Sequence, residues 1–573
     1  MSRSIFKRLA EPEEAILLVK ERLGLSLVER ILGQGAISVG ITDLEGRLLA
    51  ESITSPRPLP WYPRSLVDGC AVRSVDVAGA FEDRPVTLRY GGRIKIGEKP
   101  ARPLEPGECM EIDTGAWVPV GADAVVPIEY VTRPREGEAR IERGASPGQG
   151  IALPATDVAT GDQVAWPGAP GTPELVAALA AIGVKRVKAT RRVRAAVFST
   201  GDELVEPGSD PGDAGIFDSN RFQLIAWMKR LGYEVLDLGI ARDTIEDVED
   251  MIIKAVGEDA DVVVTSGGTS AGLEDVVYRA LGRRGEVIVH GLRIKPGKPT
   301  ILGSVGEDRL FIGLPGNPRS AANVFEKVVT RLLSTLGLPS PAYSPRVVEA
   351  TTVTALPAEK GRHTIVPVSL APGSGGFLAF PVAKDSYMIA SYPKAEGVTI
   401  IPAGAHTPPR PGSKIRVELS REPGDKVIYL TDTRLISPPT RPGVKNLYFP
   451  TGTPETVIQL LPPGQVVVTS LTPKVEEVAE ATEEARRSIV LATRSGQCRR
   501  AAVFLPYSTR TKLPGDPVRV PAPRAETAMV MLEQGYVDCA LVPGDYAEGL
   551  DGFNLEEVDT ERVALARVVE PKP

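Results

Sequence analysis

Residues 261–269 read Asp-Val-Val-Val-Thr-Ser-Gly-Gly-Thr, and this stretch decides the fold of the middle of the chain. The first five residues, Asp261–Thr265, are almost all β-branched, which predicts a strand buried on both faces of a parallel sheet. Two glycines follow directly after Ser266, so a glycine-rich loop leaves the carboxyl end of that strand. In open α/β sheets this is the edge where ligands bind.

Strands and helices alternate on both sides of this stretch, between residues 191 and 338. That order predicts a three-layer α/β domain with helices on both faces of a parallel sheet. The predicted strands are Ala195–Ser199, Glu234–Ile240, Val287–Ile294 and Leu310–Leu314, and the predicted helices are Ser219–Leu231, Thr244–Val256 and Pro318–Leu336.

Four glycine-rich loops follow predicted strands of this domain, and together they predict a site for phosphate or another oxyanion. Glycines let backbone N–H groups approach an anion, and a helix amino terminus favours negative charge. Two lysines of the third loop, Lys295 and Lys298, add cationic donors. Any one such loop is more often just a turn, but four at one sheet edge favour a site. The loops span residues 199–203, 266–272, 295–299 and 313–318.

Three acidic residues, Glu203, Asp243 and Asp275, are expected at the same edge. Carboxylates beside an anion site are best explained by a divalent cation between them, so the pattern predicts Mg²⁺.

Composition excludes several other classes. A length of 573 residues predicts several domains, and a net charge of −6 argues against a general nucleic-acid binder. No apolar stretch is long enough to span a membrane, and the first residues lack the apolar region of a secretory signal, so a cytoplasmic protein is expected. No P-loop or complete dinucleotide-binding fingerprint occurs.

Cysteine and histidine are too few and too scattered for a zinc or iron–sulfur site. The sequence holds four cysteines and three histidines. We expect the cysteines to be buried and inert. They are Cys70, Cys109, Cys498 and Cys539.

The residue pattern of the remaining chain differs from that of the central domain. Pro12–Leu23 predicts a first helix, and residues 60–148 have short apolar runs separated by Gly and Pro, which predicts a β-rich region. A proline-rich linker at 339–345 precedes a small β domain. A second linker leads to a final α/β segment, with predicted helices at Val475–Arg487 and Arg524–Gln534.

At the level of motifs, the chain resembles the molybdopterin molybdenumtransferase family, which includes bacterial MoeA and the gephyrin E domain. The resemblance covers residues 11–420 and keeps the family's motif order. The motifs are Ser65-x-x-Asp-Gly-x-Ala71, Asp113-Thr-Gly-Ala116, Phe198-Ser-Thr-Gly-Asp-Glu-Leu204, Asp218-x-Asn220, Gly239-Ile-x-Arg-Asp243, Ser266-Gly-Gly-x-Ser-x-Gly272, Lys295-Pro-Gly-Lys-Pro299 and Leu314-Pro-Gly-Asn-Pro-x-Ser320.

The resemblance implies a four-domain subunit, a homodimer with an active site between subunits, and a partner upstream that adenylylates molybdopterin. The implied reaction joins adenylylated molybdopterin and molybdate to give molybdenum cofactor and AMP, assisted by Mg²⁺. The implied domains are I at 1–45 plus 148–190, II at 46–147, III at 191–338 and IV at 343–420, followed by an extra segment, 445–573, that loosely resembles one lobe of a periplasmic-binding-protein-like domain.

The resemblance also implies roles for individual residues. Asp243 and Asp275 are the expected Mg²⁺ ligands, and Glu203 orients water or substrate. Asp68, Thr114 and Asp157 reach the cleft from domain II or the partner subunit. The pterin phosphate, the nucleotide phosphates and molybdate are expected at Ser266, Gly267, Gly268, Ser270, Lys295, Lys298, Pro315, Gly316, Asn317, Pro318 and Ser320, with Ser386 closing the far side.

Three positions depart from the family pattern. Cys70 stands where an aromatic residue is usual, and Arg319 replaces a small or apolar residue. Pro367 falls where some members carry a pocket arginine, a role that Arg362 is expected to fill. These departures leave open whether the oxyanion is molybdate or tungstate.

Two other interpretations stay open at this point. The central fold is shared with molybdopterin adenylyltransferases, although the loop at 266–275 differs from theirs and two further domains would have no explanation. A non-catalytic scaffold is the third interpretation, against which the retained lysines and carboxylates argue. For the extra segment, both a structural role and ligand binding remain open.

Overall fold

The structure is a computed structural model. It describes residues 9–269, 276–340, 344–373, 375–382, 385–390, 392–405 and 407–424. Beyond these, it describes the segments 426–429, 445–448, 457–461, 465–470, 479–493, 500–504, 518–522, 524–534, 537, 539–547 and 554–568.

The chain begins with a long helix, α1 (Pro12–Gly33), which packs on the central domain. The predicted first helix is confirmed and extends ten residues past Leu23. Its buried side chains, among them Val19, Leu23 and Leu27, recur at helical spacing and belong to the same hydrophobic core as the central sheet. Three short strands follow: β1 (Ile37–Gly40), β2 (Ile53–Thr54) and β3 (Arg64–Ser65).

A six-stranded sheet comes next and confirms the prediction that this region is β-rich. Its strand order is β7-β4-β6-β5-β9-β8. The elements are β4 (Gly69–Val72), α2 (Ser74–Val77), β5 (Val86–Ile94), β6 (Glu108–Ile112), β7 (Ala124–Pro127), β8 (Val131–Thr132) and β9 (Glu138–Ile141).

The cysteines of this sheet correct one prediction. Cys70 on β4 and Cys109 on β6 are buried, as expected, but they form a disulfide bond across two neighbouring strands. Cys539 is also disulfide-bonded, and Cys498 lies outside the described residues. Pairing could not be deduced from four widely spaced cysteines, because several connectivities are compatible with any such set.

After the six-stranded sheet, three further strands pair with the first three strands of the chain. The strands β10 (Ile151–Ala152), β11 (Gln163–Ala165) and β12 (Arg186–Ala189) pair antiparallel with β3, β2 and β1 in that order. The helix α3 (Pro173–Ala181) lies between β11 and β12, and its N-cap Thr172 accepts a hydrogen bond from Leu175 N at 3.2 Å. These nested pairings make the six-stranded sheet an insertion.

The central domain has a six-stranded sheet in the order β16-β13-β17-β21-β20-β18. The six strands of this sheet are β13 (Arg194–Thr200), β16 (Glu234–Ala241), β17 (Val262–Ser266), β18 (Gly285–His290), β20 (Ile301–Val305) and β21 (Arg309–Leu314). Three short strands of this region lie outside the sheet: β14 (Leu204–Val205), β15 (Ile216–Phe217) and β19 (Ile294–Lys295). The helices are α4 (Asn220–Arg230), α5 (Ile245–Gly257), α6 (Val276–Arg284), α7 (Pro318–Val324) and α8 (Thr330–Thr335), and a π-helical turn, Phe325–Val329, joins the last two.

The expectation of a parallel sheet is correct for five of these strands and wrong for β20. The strands β16, β13, β17 and β21 are mutually parallel, and β20 runs antiparallel to both β21 and β18. Only three residues separate β20 from β21, and a connection that short can join only antiparallel strands.

Helices cover both faces of the sheet, as the three-layer prediction requires. One core combines alternate strand residues such as Val264 and Ile312 with α1, α4, α7 and α8. The other combines Phe198 and Phe311 with α5 and α6. Strand residues of both cores are almost fully buried, which explains the continuous β-branched run at Val262–Thr265.

A small β domain follows, and its sheet includes one short strand from the central domain. Its strands are β22 (Val347–Thr352), β23 (His363–Gly373), β24 (Gly376–Pro381), β25 (Gly397–Ile401) and β26 (Lys414–Leu419). The strands β23 and β25 also pair, which closes the sheet into a barrel-like form. The short strand β19 pairs with β23 and so ties the two domains together.

The final segment forms an eight-stranded sheet in the order β28-β27-β29-β34-β30-β33-β31-β32. Its elements are β27 (Lys426–Tyr429), β28 (Lys445–Tyr448), β29 (Val466–Ser470), β30 (Ala479–Thr493), β31 (Arg500–Phe504), β32 (Val518–Ala522), α9 (Ala525–Glu533), β33 (Cys539–Pro543), α10 (Gly544–Ala547) and β34 (Asn554–Val568). The predicted helix at Arg524–Gln534 is confirmed.

The predicted helix at Val475–Arg487 is wrong where the structure describes it, because residues from Ala479 onward form strand β30. Alanine, glutamate and arginine favour helices, but β30 pairs with β34 over almost its whole length, and this long-range pairing overrides local propensity.

The topology of this segment is a doubled unit rather than the single lobe that was expected. In one half, β27 pairs parallel with β28 and β29, and in the other β31 pairs parallel with β32 and β33. The long strands β30 and β34 run through both halves. Within the described part of the chain, no helix has the length and apolar character that a membrane crossing requires.

Candidate active site

The carboxyl edge of the central sheet gathers the four predicted loops. The loops that begin at Ser199, Ser266 and Gly313 leave the ends of the neighbouring parallel strands β13, β17 and β21. The fourth, around Lys295, connects β18 to β20, and the pairing of Ile301 with both His290 and Gly313 places it at the same edge. The prediction of one shared edge is therefore confirmed.

A buried hydrogen-bond junction holds two of these loops together. The Asn220 side-chain Nδ2 donates to Ser266 Oγ at 2.6 Å and to the Gly316 carbonyl at 2.7 Å. The Ser266 hydroxyl in turn donates to the Pro315 carbonyl at 3.2 Å. The Ser266 side chain thus joins loops in this structure, so what it offers a ligand is the position of the neighbouring backbone.

Gly267 allows the loops to approach this closely. Its φ is +102°, and a Cβ there would lie 2.0 Å from the carbonyl oxygen of Thr200 on the next loop. A Cβ on Gly316 would in turn lie 3.4 Å from the Gly267 Cα. Three loops therefore meet backbone to backbone, a geometry that only glycine permits at 267.

Acidic residues line the adjacent part of the edge. Thr200 Oγ1 donates to Asp243 Oδ1 at 2.6 Å, and the Asp243 backbone N–H donates to Asp202 Oδ1 at 3.2 Å. Both carboxylates are exposed, as is Glu203. The remaining predicted metal ligand, Asp275, and the predicted binding residue Ser270 lie outside the described residues.

A second charged cluster bridges the central and small β domains. Glu359 accepts hydrogen bonds from both Lys295 and Arg362. These bonds, that from Lys295 first, lower the pKa of the Glu359 carboxyl below its usual value. Two cations predicted to hold substrate are therefore both paired with one carboxylate, while the other loop lysine, Lys298, is half-buried.

The loop after β21 meets the small β domain at Ser386. The Arg319 backbone N–H donates to the Ser386 carbonyl at 3.0 Å. Ser320 is buried one residue further on, whereas Gly316 and Asn317 are exposed and Pro318 begins helix α7. The structure thus brings the predicted residues Ser320 and Ser386 to one junction.

The predicted residues of the insertion form a separate group. Asp68 Oδ1 accepts hydrogen bonds from the Thr114 backbone N–H at 2.7 Å and the Thr114 hydroxyl at 2.9 Å. These two bonds, the backbone one first, lower the pKa of Asp68. Asp157 is exposed, and its backbone N–H donates to the Leu59 carbonyl at 3.0 Å. Among the hydrogen bonds and ion pairs of the described residues, none joins Asp68, Thr114 or Asp157 to the edge of the central sheet.

Sequence reasoning missed three residues that organise the edge. Asn220 belongs to a recognised motif but carried no assigned role, and Asp202 and Glu359 were not singled out. The motif Asp218-x-Asn220 was the available signal for Asn220. Nothing in the sequence shows that Glu359 lies beside Lys295, because 64 residues separate them.

A groove of about 880 Å³ lies in the insertion, between the residues around Phe81 and those around Tyr130. None of the predicted site residues lines it, so it is distinct from the edge described above.

The fold and the edge define an α/β protein whose glycine-rich loops meet at one edge of the central sheet, flanked by a β-rich insertion and a small β domain. Three family models match in order. They are described as MoeA N-terminal region (domain I and II), over residues 11–183, probable molybdopterin binding domain, over 196–335, and MoeA C-terminal region (domain IV), over 349–419.

Relatives and a solved structure agree. The chain is 36% identical to a molybdopterin molybdenumtransferase of Haemophilus influenzae, over 52% of this chain and 72% of that protein. It is 31% identical to molybdopterin molybdenumtransferase 1 of Mycobacterium tuberculosis, over 64% of this chain and 91% of that protein. A crystal structure of the molybdopterin biosynthesis moeA protein of Pyrococcus horikoshii OT3 matches with 25% identity and a TM-score of 0.53, over 72% of this chain and all of that one. The chain belongs to the molybdopterin molybdenumtransferase family.

Proposed function

We propose that this chain is a molybdopterin molybdenumtransferase, which combines adenylylated molybdopterin with molybdate to form molybdenum cofactor and AMP. Family membership supports the transferase activity. The observation that carries the proposal is the convergence of three loops: Asn220 joins the Ser266 and Gly313 loops, and Gly267 packs against Thr200 of the Ser199 loop. Backbone N–H groups fixed in this way suit phosphate oxygens.

The residues of the edge have distinct tasks in this proposal. The glycine loops bind and orient the phosphates, and the Asn220 junction fixes the loops before substrate arrives. Thr200, by donating to Asp243, fixes the orientation of that carboxylate. A pre-oriented site of this kind stabilises charge that develops during cleavage without reorganising.

The donor set fits Mg²⁺. Asp243 and Asp202 offer carboxylate oxygens at one edge, and Mg²⁺ commonly takes one or two carboxylates with water and phosphate oxygens. Among the described residues there is no cluster of three or more His, Cys, Asp or Glu side chains for a metal. Asp243 and Asp202 would therefore hold the ion with substrate, and Asp275 remains a predicted ligand. The ion would neutralise charge on the phosphates.

The proposal also includes a homodimer of this chain. In this dimer, the Asp68–Thr114 pair of one subunit's insertion would lie at the active site of the partner subunit. The adenylylated substrate requires an upstream adenylyltransferase.

Replacing Asp243 by Asn tests the assignment of this edge. We expect AMP release to fall about 100-fold, the usual loss when one charge-stabilising group is removed, with the fold unchanged because Asp243 is exposed. Ser266→Ala should also lose activity, because it opens the loop junction. The matched control is Asp250→Asn on the exposed face of α5, which should keep wild-type activity. Full activity in folded Asp243→Asn would contradict the assignment.

A further inference from the structure

The segment from Asp202 to Phe217 has no apolar core of its own. It follows the Ser199 loop and carries Glu203, and along its whole described length none of its side chains is buried. Even its apolar residues Ile216 and Phe217 are 59% and 46% exposed. A segment with so few buried contacts depends on polar bonds for its position.

Backbone hydrogen bonds fold this segment back on itself. The Ile216 N–H donates to the Glu203 carbonyl at 2.7 Å, and the Asp218 N–H donates to the Val205 carbonyl at 2.9 Å. These bonds accompany the short parallel pair of β14 and β15, which lies outside the six-stranded sheet. The attachment of this pair to the central domain therefore depends on further contacts.

Arg221, in the first turn of helix α4, supplies such a contact. It is 3% exposed, and its guanidinium reaches three carboxylates. Its Nε donates to the buried Asp218 at 3.0 Å, and its two terminal nitrogens donate to Glu206 and Asp237. Asp218 also accepts a hydrogen bond from Ser199 Oγ at 3.1 Å. Arg221 and Asp218 thus connect the buried start of the loop, at Ser199, to its exposed continuation at Glu206.

The bonds of Arg221 outweigh the cost of burying its charge. Burial alone would lower the pKa of the guanidinium, but the hydrogen bonds to Asp237, Asp218 and Glu206 raise this pKa above its usual value. A planar guanidinium holds several carboxylates at fixed angles, which a lysine ammonium does not. The side chains of Glu206 and Asp237 are 50% and 44% exposed, so removing either one leaves Arg221 paired with the buried Asp218.

Glu203 lies close to this attachment along the chain. It precedes Glu206 by three residues, and three residues span at most about 11 Å. A fixed Glu206 therefore limits how far Glu203 moves. A Cβ on Gly201 would lie 2.9 Å from Glu203 Oε2, so the absence of a side chain at 201 leaves space for this carboxylate over the loop.

We propose that Arg221 is a positioning residue of the reaction, which holds Glu203 at the active edge by joining Glu206 to the buried Asp218. The proposal deepens the proposed function and rests on it, because it concerns the expected task of Glu203, which is to orient water or substrate. Arg221 acts through the loop and touches no substrate. Asp237 pairs with the same guanidinium but has no part in this task.

Two matched variants of the purified full chain, Glu206→Ala and Asp237→Ala, test the proposal. Each removes one half-exposed carboxylate from the same guanidinium, but only Glu206 lies on the segment that carries Glu203. In AMP release, Glu206→Ala should lower kcat about three- to fivefold, the usual effect of losing such an ion pair, and leave the KM values unchanged. Asp237→Ala should keep the wild-type kcat. Equal kcat in the two variants overturns the proposal.

Arg221→Lys tests the guanidinium itself. Lysine keeps a cation beside the buried Asp218 but does not hold Glu206 as well, so kcat should fall at least as far as in Glu206→Ala. Thermal unfolding checks that the variant is folded, and Glu206→Ala decides the matter if it is not. A wild-type kcat in folded Arg221→Lys overturns the proposal.

A double variant separates positioning of Glu203 from general damage to the site. If Glu206 acts through Glu203, Glu206→Ala should have no further effect once Glu203→Gln has lowered kcat. A double variant whose loss is the product of the two single losses overturns the role given to Glu203. A wild-type kcat in Glu203→Gln overturns it as well.

Hydrogen exchange measures the attachment without any reaction and so separates this proposal from the proposed function. The reporters are the Leu204 and Ile216 amides, which donate to carbonyls of the same segment. Both should exchange at least about threefold faster in Glu206→Ala and at the wild-type rate in Asp237→Ala. Wild-type exchange in Glu206→Ala overturns the proposal whether or not AMP is released. Faster exchange there, in a protein whose wild type releases no AMP, upholds the attachment and overturns the function.

Discussion

Gly267 is the residue on which the geometry of the edge depends most directly. Its positive φ turns the chain away from strand β17, and its missing side chain leaves space for the carbonyl of Thr200. The Asn220 junction lies beside this close approach, because its amide joins Ser266, directly before Gly267, to Gly316. One glycine thus determines where three loops meet.

Gly267→Ala should therefore inactivate and destabilise the protein. A Cβ 2.0 Å from a backbone oxygen cannot be accommodated without moving a loop, and alanine is strained at a φ of +102°. We expect a loss of about 1–3 kcal/mol in the free energy of unfolding and a loss of AMP release greater than the loss of fold explains.

Gly257→Ala is the matched control. Gly257 ends helix α5, and a Cβ there meets nothing within 4 Å. This variant should be as stable and active as wild type, as measured by denaturant unfolding and AMP release. Equal behaviour of the two variants would show that the loops do not meet as described.

Residues near each other in sequence were predictable and distant pairs were not. The pattern at 262–269 indicated both the buried strand and its glycine loop, because each property is local. The pairing of Asn220 with Ser266 depends on how helix α4 packs against β17, which no local pattern encodes. The pairing of Lys295 with Glu359, 64 residues away, is a second such case, and the expected role of Arg362 in holding substrate remains a prediction.

At the scale of elements, the disulfide between β4 and β6 stabilises the insertion next to predicted site residues. Asp68 comes directly before β4, and Thr114 follows β6 by two residues, so the bond joins the two strands that present this pair. Such bonds are rare in reducing cytoplasm outside hyperthermophiles, so the thiol state also bears on the expected location.

Replacing Cys70 and Cys109 together by Ala should destabilise the insertion. The two cysteines are 39 residues apart, and closing a loop of that length is worth about 4 kcal/mol in the chain-entropy estimate. Hydrogen exchange of the β4 and β6 amides measures this locally. Reductant should destabilise the wild-type sheet and leave the double variant unaffected. Free thiols at both positions in native protein, with equal exchange, would contradict the bond.

Elements were predicted correctly where the local residue pattern agrees with the strand pairing. They were not predicted where the two conflict. Helix α9 and strand β17 follow their local patterns, whereas β30 is a strand despite its helix-favouring residues. Strand β20 was not predicted, and its antiparallel direction follows from the short connection to β21. Long-range pairing with β34 decided the first case, and a short hairpin connection decided the second.

At the scale of the whole molecule, the first helix and the small β domain are both attached to the central domain. Helix α1 shares the core of the central domain, and its Arg30 forms an ion pair with the buried Asp261, which also pairs with Arg191. Strand β19 carries the Lys295 loop into the sheet of the small β domain. The glycine-rich loops and the chain's first helix therefore lie on one core, and the small β domain is tied to the central domain through β19.

The domain organisation inferred from motifs accounts for this arrangement up to about residue 420. The doubled topology of the final segment was not predicted, because its strands pair across gaps of up to about 100 residues in a pattern with no motif. The predicted boundaries and the roles of individual site residues remain predictions.

The most direct test of the central claim is AMP release by the purified full chain with adenylylated molybdopterin and Mg²⁺, while molybdate and tungstate are titrated in parallel. We predict that AMP appears only when an oxyanion is present, with one AMP released per metal atom incorporated. Formation of adenylylated molybdopterin from ATP would indicate an adenylyltransferase instead. No release with either oxyanion, from folded protein, would contradict the transferase account and favour a scaffold.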